Sequence, residues 1–254
     1  MTVTGAGHPD VGLHRKVLDA LGRSIAGGSH PPGAVLRIEE LEARFGVSRT
    51  VIREAARVLE SMHLVQIRRG VGITVRAMQD WSIYDPFVIR WRLASKQRAA
   101  QLRSLTELRA AIEPAAASLA ADRATPAQCG ELTAATIGLV ATGRAGDLGA
   151  FLAHDIAFHR TVLSASGNEM FARLGDVVAE MLTGRTVLGL MPAHPTASAI
   201  TLHTRVAEGI RSRDGRKAET AMRGIVEGVM NEMDMERARR PVAQRDALSH
   251  RAAR

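Results

Sequence analysis

Asp155 and His159 lie four residues apart in a stretch with helical periodicity, so their side chains project from one face, one turn from each other. His203 falls in a second such stretch. A carboxylate with two imidazoles suits a divalent transition ion such as Zn, Ni or Mn. The same residues also suit a plain Asp-His hydrogen bond and a lone structural histidine, and spacing alone leaves both readings open. Arg109 can fork two parallel charge-assisted bonds onto the carboxylate of a small ligand, or pair with Glu113 one turn further on. Arg185 is a second candidate of that kind. If the Asp155, His159 and His203 cluster held a hydrolytic metal, the chain would be a metal-dependent hydrolase; no motif supplies the general base or nucleophile it would need.

A different chemistry is written in Gly46-Val47-Ser48-Arg49-Thr50-Val51-Ile52-Arg53-Glu54. Ser48 is a good N-cap after a glycine turn, and Ile52, Ala55, Ala56 and Leu59 form one apolar face behind it. Arg49, Arg53 and Arg57 recur at i, i+4 and i+8 as a separate cationic stripe. The segment from Ile38 to Phe45 is amphipathic as well, which makes the pair a helix-turn-helix. Downstream, Leu64–Arg68 and Ile73–Arg76 alternate like strands around Arg69-Gly70-Val71-Gly72. That hairpin is a wing, with Arg68, Arg69 and Gly70 at its tip beside DNA backbone or minor groove. Ser48, Arg49, Thr50, Arg53 and Arg57 are the expected recognition-helix contacts in the major groove.

The rest of the chain must position these groups. With 254 residues and 46% hydrophobic content it can bury two modest cores. The net charge is +8, and its location is informative. Five arginines and two glutamates lie between Ser48 and Arg69, six arginines and one aspartate between Arg237 and Arg254, so those two segments hold the whole excess. A single cysteine, Cys129, excludes an internal disulfide framework and suits a reducing cytoplasm. The N-terminus lacks the pattern of a signal peptide, and no apolar run is long enough to span a membrane.

The expected division is a disordered arm over 1–10, a winged helix-turn-helix of three helices plus a β-hairpin over 11–77, a linker and linker helix over 78–97, an all-helical bundle over 98–238 and a basic disordered tail over 239–254. Bundle helices are expected at 98–122, 126–143, 147–166, 168–190, 197–213 and 216–238, with Thr125, Asp147 and Asn168 as caps and Pro114 as a kink. Both tryptophans and the only tyrosine fall between Trp81 and Trp91. Such a cluster should cement the linker helix against the second domain or a partner subunit.

Pro31-Pro32-Gly33-Ala34-Val35-Leu36, Glu39-Glu40-Leu41, Phe45 to Thr50, Arg53-Glu54-Ala55, Leu59-Glu60 and Arg69-Gly70 resemble the winged-helix domain of GntR-type bacterial transcription regulators. Val51 and His63 depart from the usual Pro and Gly, and neither change touches the arginines. Further on, Leu108-Arg109, Ile112-Glu113-Pro114, Leu119-Ala120-Ala121, Asp155 to His159, Ser166-Gly167-Asn168, and His203 with Ile210 and Asp214 resemble the ligand-binding domain of the FadR subfamily. Trp81, Asp85-Pro86, Val88 and Trp91-Arg92 look like its sugar-acid branch.

The resemblance implies a metal held by an Asp, a His four later and two further His. Asp155, His159 and His203 match three of these. Ile225 stands where the fourth belongs, so the implied site keeps three protein ligands and completes its shell with water or effector, or else binds the effector directly. His154 and His194 are the possible substitutes; His154 should point elsewhere, and His194 lies in a Pro-rich loop. The function implied is a cytoplasmic, homodimeric DNA-binding regulator, a repressor on a palindromic double-stranded operator, answering to a small carboxylate held by Arg109, Asp155, His159, His203 and Arg185. It is not an enzyme on this reading. An effector-independent architectural nucleic-acid protein is the other rival, and would leave a neutral helical domain without a role.

Overall fold

The computed structural model describes residues 9–192 and 195–252, and the side-chain surroundings of 12–192 and 195–235. Two compact units divide between Gln101 and Leu102. His194 and residues 1–8 of the expected arm lie outside the described residues.

In the first unit, α1 (Pro9–Ala26) is followed by β1 (Val35–Leu36), α2 (Ile38–Phe45), α3 (Arg49–Ser61), β2 (Val65–Arg68), β3 (Gly72–Val75) and α4 (Pro86–Leu93). Helix α1 thus begins before the expected Val11. The turn between α2 and α3 works because Gly46 takes a left-handed φ of 63°, a conformation that costs a side-chain-bearing residue more. Its amide closes α2 onto the Glu42 carbonyl, and Ser48 then opens α3 by accepting from the Val51 amide at 3.5 Å. Val51, Ile52, Ala55, Ala56 and Leu59 turn inward, leaving the arginine stripe outside. Burial of this face is what fixes α3, since an isolated 13-residue helix is marginal in water.

The hairpin β2–β3 has the register Val65↔Val75, Ile67↔Ile73 and Arg68↔Gly72. Unexpected from sequence, β1 joins the far side of β3, so the sheet has three strands in the order β1-β3-β2. Helix α4 also differs from expectation. Trp91 is fully buried in the first unit's core, its indole Nε1 donating to Asp19 Oδ1 on α1 at 3.0 Å. Trp81 donates to the Arg76 carbonyl at 3.1 Å, while Tyr84 is exposed. The tryptophans therefore cement the linker back onto the first unit, because an indole ring this large finds its apolar contacts on α1.

The second unit is all-helical: α5 (Arg98–Arg123), α6 (Pro126–Ala145), α7 (Leu148–Ala165), α8 (Glu169–Arg173), α9 (Gly175–Val187), α10 (Ala197–Arg211) and α11 (Gly215–Ala252). Helix α5 passes Pro114 without interruption. Thr125 caps α6 in a reciprocal box with Gln128, Asp147 caps α7 and Asn168 caps α8. The single helix expected over 168–190 is two. Leu174 donates to the Phe171 carbonyl at 3.0 Å, a tight turn that closes α8 before Gly175 starts α9. Helix α11 continues past the boundary expected near 238 to Ala252, across Pro241 and through a stretch otherwise rich in Arg and Ala, which favour a helix. The side chains of the basic segment 239–254 lie outside the described residues.

The bundle core is Phe158, Val162, Val178, Leu182, Val206, Ile210 and Met222, with Ala116, Ala117 and Ala120 of α5 letting neighbours approach. Helix α7 packs on α6 and α9, and α10 on α6 and α11. Residues of α5, α7, α9, α10 and α11 line one cavity. No helix among the described residues is long and apolar enough to cross a membrane.

Candidate functional site

Of the cationic stripe, Arg49, Arg53 and Arg57 are all exposed, as is Thr50. Arg49 is held by α2, its Nη2 at 2.5 Å from Glu39 Oε1 and its Nε at 3.4 Å from Glu42 Oε2. Arg57 pairs with Glu54 at 2.6 Å. Arg53 has no ion pair among the described residues. At the wing tip Arg69 and Gly70 are exposed, while Arg68 donates to Gln66 Oε1 at 2.9 and 3.1 Å. Glu60, named in the sequence only as part of the family motif, accepts from the Ile67 amide at 2.7 Å and so ties the wing to the end of α3. No local pattern announces that bond.

In the second unit Asp155, His159 and His203 converge, all buried, with one ligand atom of each within 4.8 Å of the others. His203 Nε2 lies 3.2 Å from Asp155 Oδ1 and His159 Nε2 3.5 Å from the same oxygen. The other nitrogen of each ring is engaged elsewhere. Nδ1 of His203 is 2.8 Å from the Ala199 carbonyl, and Nδ1 of His159 is 3.1 Å from Glu113 Oε2. Both Nδ1 atoms face acceptors outside the cluster and both Nε2 atoms face the shared carboxylate, so a metal could replace the Nε2 protons without disturbing the outward bonds. Phe158 stacks edge-on against both imidazoles and closes one side with hydrocarbon.

The electrostatics agree with a tightly organised cluster. Burial by itself would raise the Glu113 pKa, but the charges of Arg109 and His159 outweigh it and hold this carboxyl at about 2. Asp155 is likewise held far below the usual carboxylate range against burial, by its hydrogen bonds and charge interactions with His159 and His203. His159 is raised: burial and the neighbouring Arg109 charge disfavour the imidazolium, and the Glu113 charge with the hydrogen bonds to Asp155 and Glu113 together outweigh them. A cation at Nε2 would take the place of that proton.

Arg109 realises its expected pairing with Glu113, Nε to Oε1 at 2.9 Å and Nη2 to Oε2 at 3.1 Å. Its Nη2 also approaches His159 Nε2 at 3.1 Å, so an entering cation would displace this contact. Arg185 is bound by Glu232 Oε2 at 2.8 Å. Both arginines line a cavity of about 130 Å³ together with Asp155, His159, His203, Ile225 and Glu232. Ile225, 8% exposed, presents hydrocarbon on that wall. His154 is turned away, its ring packed over Gly138, as its place beside Asp155 requires. Glu113 and Glu232 had no site role in the sequence reading beyond Glu113's pairing with Arg109. Cys129 is half-buried on α6, away from the cavity.

A winged helix-turn-helix with an exposed cationic recognition face, on a chain that also carries a helical bundle around a charged cavity, defines a bacterial-type DNA-binding transcription regulator. The family is shown by comparison. Residues 13–75 match the model of bacterial regulatory proteins of the gntR family, and residues 104–228 match the FCD domain. The chain is 30% identical over 210 residues to the galactonate operon transcriptional repressor of Escherichia coli, covering 81% of this chain and 90% of that protein. It is 29% identical over 204 residues to the regulator LutR of Bacillus subtilis, covering 78% and 90%. It is also similar, at 27% over 208 residues, to a probable D-xylose utilization operon repressor of Paenarthrobacter nicotinovorans, covering 82% of each. Among solved structures, the Listeria monocytogenes regulator Lar has a TM-score of 0.56 at 17% identity over 91% of this chain and 99% of that one. McbR/YncC of E. coli has a TM-score of 0.51 at 18% identity, covering 88% and 98%. The protein belongs to the GntR family, in the group with an FCD domain, and is a regulator of transcription rather than a hydrolase.

Proposed function

We propose that this regulator is a homodimeric repressor of a palindromic operator, released by a small carboxylate, with sugar acids the leading class. The observation that carries the proposal is the buried Asp155, His159 and His203 cluster on the wall of a cavity that also presents two guanidinium groups. Cations beside hydroxyl-binding carboxylate and imidazole groups suit a hydroxy acid. A cavity near 130 Å³ is below the range of ordinary drug-sized pockets and matches a small ligand better than a long acyl chain. The galactonate repressor of E. coli is a relative at 30% identity, which favours sugar acids within the class.

The residue set fits a divalent transition ion, Zn, Ni or Mn, since both histidines have their Nδ1 atoms engaged and their Nε2 atoms turned to Asp155. Asp155, His159 and His203 would hold it, and it would supply a Lewis-acid anchor for the effector's oxygens. Ile225 leaves that face of the shell to water or effector. Two winged helices related by a two-fold axis multiply the discrimination of one, which is the reason for a dimer on a palindrome. The effector must prefer the arrangement that releases DNA, because a ligand shifts an equilibrium only through differential affinity.

A thermal-shift screen tests the site. Sugar acids and short hydroxy acids should raise Tm, fatty acyl compounds should not, and Asp155→Asn should abolish the response. A Tm raised only by acyl compounds, or equally in the Asp155→Asn protein, rejects the proposal.

A further inference from the structure

The two arginines on the cavity wall are engaged in different ways. Arg109, 1% exposed, gives Nε and Nη2 to both carboxylate oxygens of Glu113 on its own helix. Glu113 is itself fully buried and also holds His159. Neither member of that pair can leave without uncovering a buried charge. Arg185 is just as inaccessible, its side chain 6% exposed, but Glu232 is its one ion-pair partner among the described residues, and that carboxylate is 40% exposed. A carboxylate already half in water returns to it at little cost, whereas a buried guanidinium cannot be left without an anion.

We infer that Glu232 occupies, in the ligand-free protein, the place where Arg185 receives the carboxylate of the effector, so that ligand and α11 compete for one guanidinium. The inference rests on the small-carboxylate reading above and adds to it which cation anchors the acid and what the acid expels. Exchanging one carboxylate for another keeps the local charge unchanged, and the departing group goes to solvent rather than into the core. Arg109 remains locked on Glu113 and serves the cluster instead. Because Glu232 belongs to α11 and Arg185 to α9, 47 residues apart, the exchange removes a tie between these helices. Bound and free proteins then differ in how α11 is held, the differential contact that a ligand needs to shift a conformational equilibrium.

Calorimetric titration of the full-length protein with D-galactonate, D-gluconate, L-lactate and citrate tests this, using wild type, Glu232→Gln and Arg185→Gln, with circular dichroism confirming each fold. Acids that bind wild type should bind E232Q roughly tenfold more tightly, the worth of one charge-assisted competitor. Binding to R185Q should weaken at least tenfold; if R185Q does not fold, Arg185→Lys, which keeps the charge but not the planar fork, should weaken it as well. An acid that binds only E232Q supports the inference directly. Unchanged or weaker binding to E232Q, with wild-type binding intact, overturns it and leaves the carboxylate-site reading standing. Absence of binding to both wild type and E232Q overturns the two together.

Discussion

His159 Nδ1 lies 3.1 Å from Glu113 Oε2, so the ring that faces Asp155 is aimed by a carboxylate on a different helix, α5. Glu113 thereby joins the cluster to Arg109, and a change at Glu113 should be felt in metal affinity although it removes no ligand. Glu113→Gln is expected to weaken zinc binding by roughly 10–100-fold in a competitive chelator titration, the usual effect of losing an outer-shell partner. His203→Ala, which deletes a ligand, should weaken it further. Zinc affinity indifferent to both substitutions would reject the three-ligand site.

The same residue makes a pH prediction. The Glu113 carboxyl falls from an ordinary 4.5 to about 2 in the folded protein, a depressed carboxylate. Its stabilisation is therefore complete above pH 4.5 and disappears as pH falls toward 2. The size is on the order of 3 kcal/mol. Urea unfolding of metal-free protein should show stability declining across that window, with a shallower decline in Glu113→Gln. Equal slopes in the two proteins would contradict the assignment.

On the DNA side the three stripe arginines should not behave alike. Arg53 is exposed and has no ion pair to surrender among the described residues, so Arg53→Ala should cost about 1–3 kcal/mol of operator affinity and relax preference at one base position. Arg49 must exchange Glu39 and Glu42 for DNA, or be aimed by them. If they compete, Glu39→Gln tightens binding; if they aim it, Glu39→Gln loosens specificity. Removing Arg69 from the wing should weaken all duplexes similarly and reduce the salt slope by about 1. Anisotropy at several salt concentrations separates these outcomes, and Arg53→Ala with unchanged affinity would remove α3 as the reading element.

The packing of α4 on α1 gives a stability test. A Cβ at Gly22 would lie 2.5 Å from atoms of the Trp91 indole, closer than van der Waals contact permits. Gly22→Ala should therefore lower the stability of the first unit by about 1–3 kcal/mol through overpacking, despite the better helix propensity of alanine. Thermal unfolding with Trp fluorescence reads this. A stabilised G22A protein would mean that Trp91 is not packed there.

These tests separate what local pattern can reveal from what it cannot. The turn, cap and stripe from Gly46 to Arg57 were legible because each depends on neighbours within eight residues. So was the hairpin, through alternation around Gly70. Asp155 with His159 was visible as an i, i+4 pair and His203 as a histidine on a second helix, and the family resemblance turned the three from an open alternative into an implied metal site. Contacts between distant residues were not legible. β1 is two residues long and exists only by pairing with β3. Trp91 meets Asp19 across 72 residues, and Arg185 meets Glu232 across 47. Nothing at Trp91 itself says whether its hydrocarbon surface will be covered by α1 or by another unit. The break at Leu174 was hidden for another reason: apolar periodicity continues across it, and only the amide bond to Phe171 ends the helix.

On the proposed function, occupancy of the cavity at Asp155, His159 and His203 governs DNA binding by α3. Anisotropy of zinc-loaded protein on a duplex selected from a random library, titrated with sugar acids and short hydroxy acids, tests it most directly. At least one acid should raise the apparent Kd for DNA tenfold or more in wild type and leave an Asp155→Asn/His203→Ala protein unchanged. DNA affinity that no acid alters in wild type, or that responds equally in the double variant, would contradict the account.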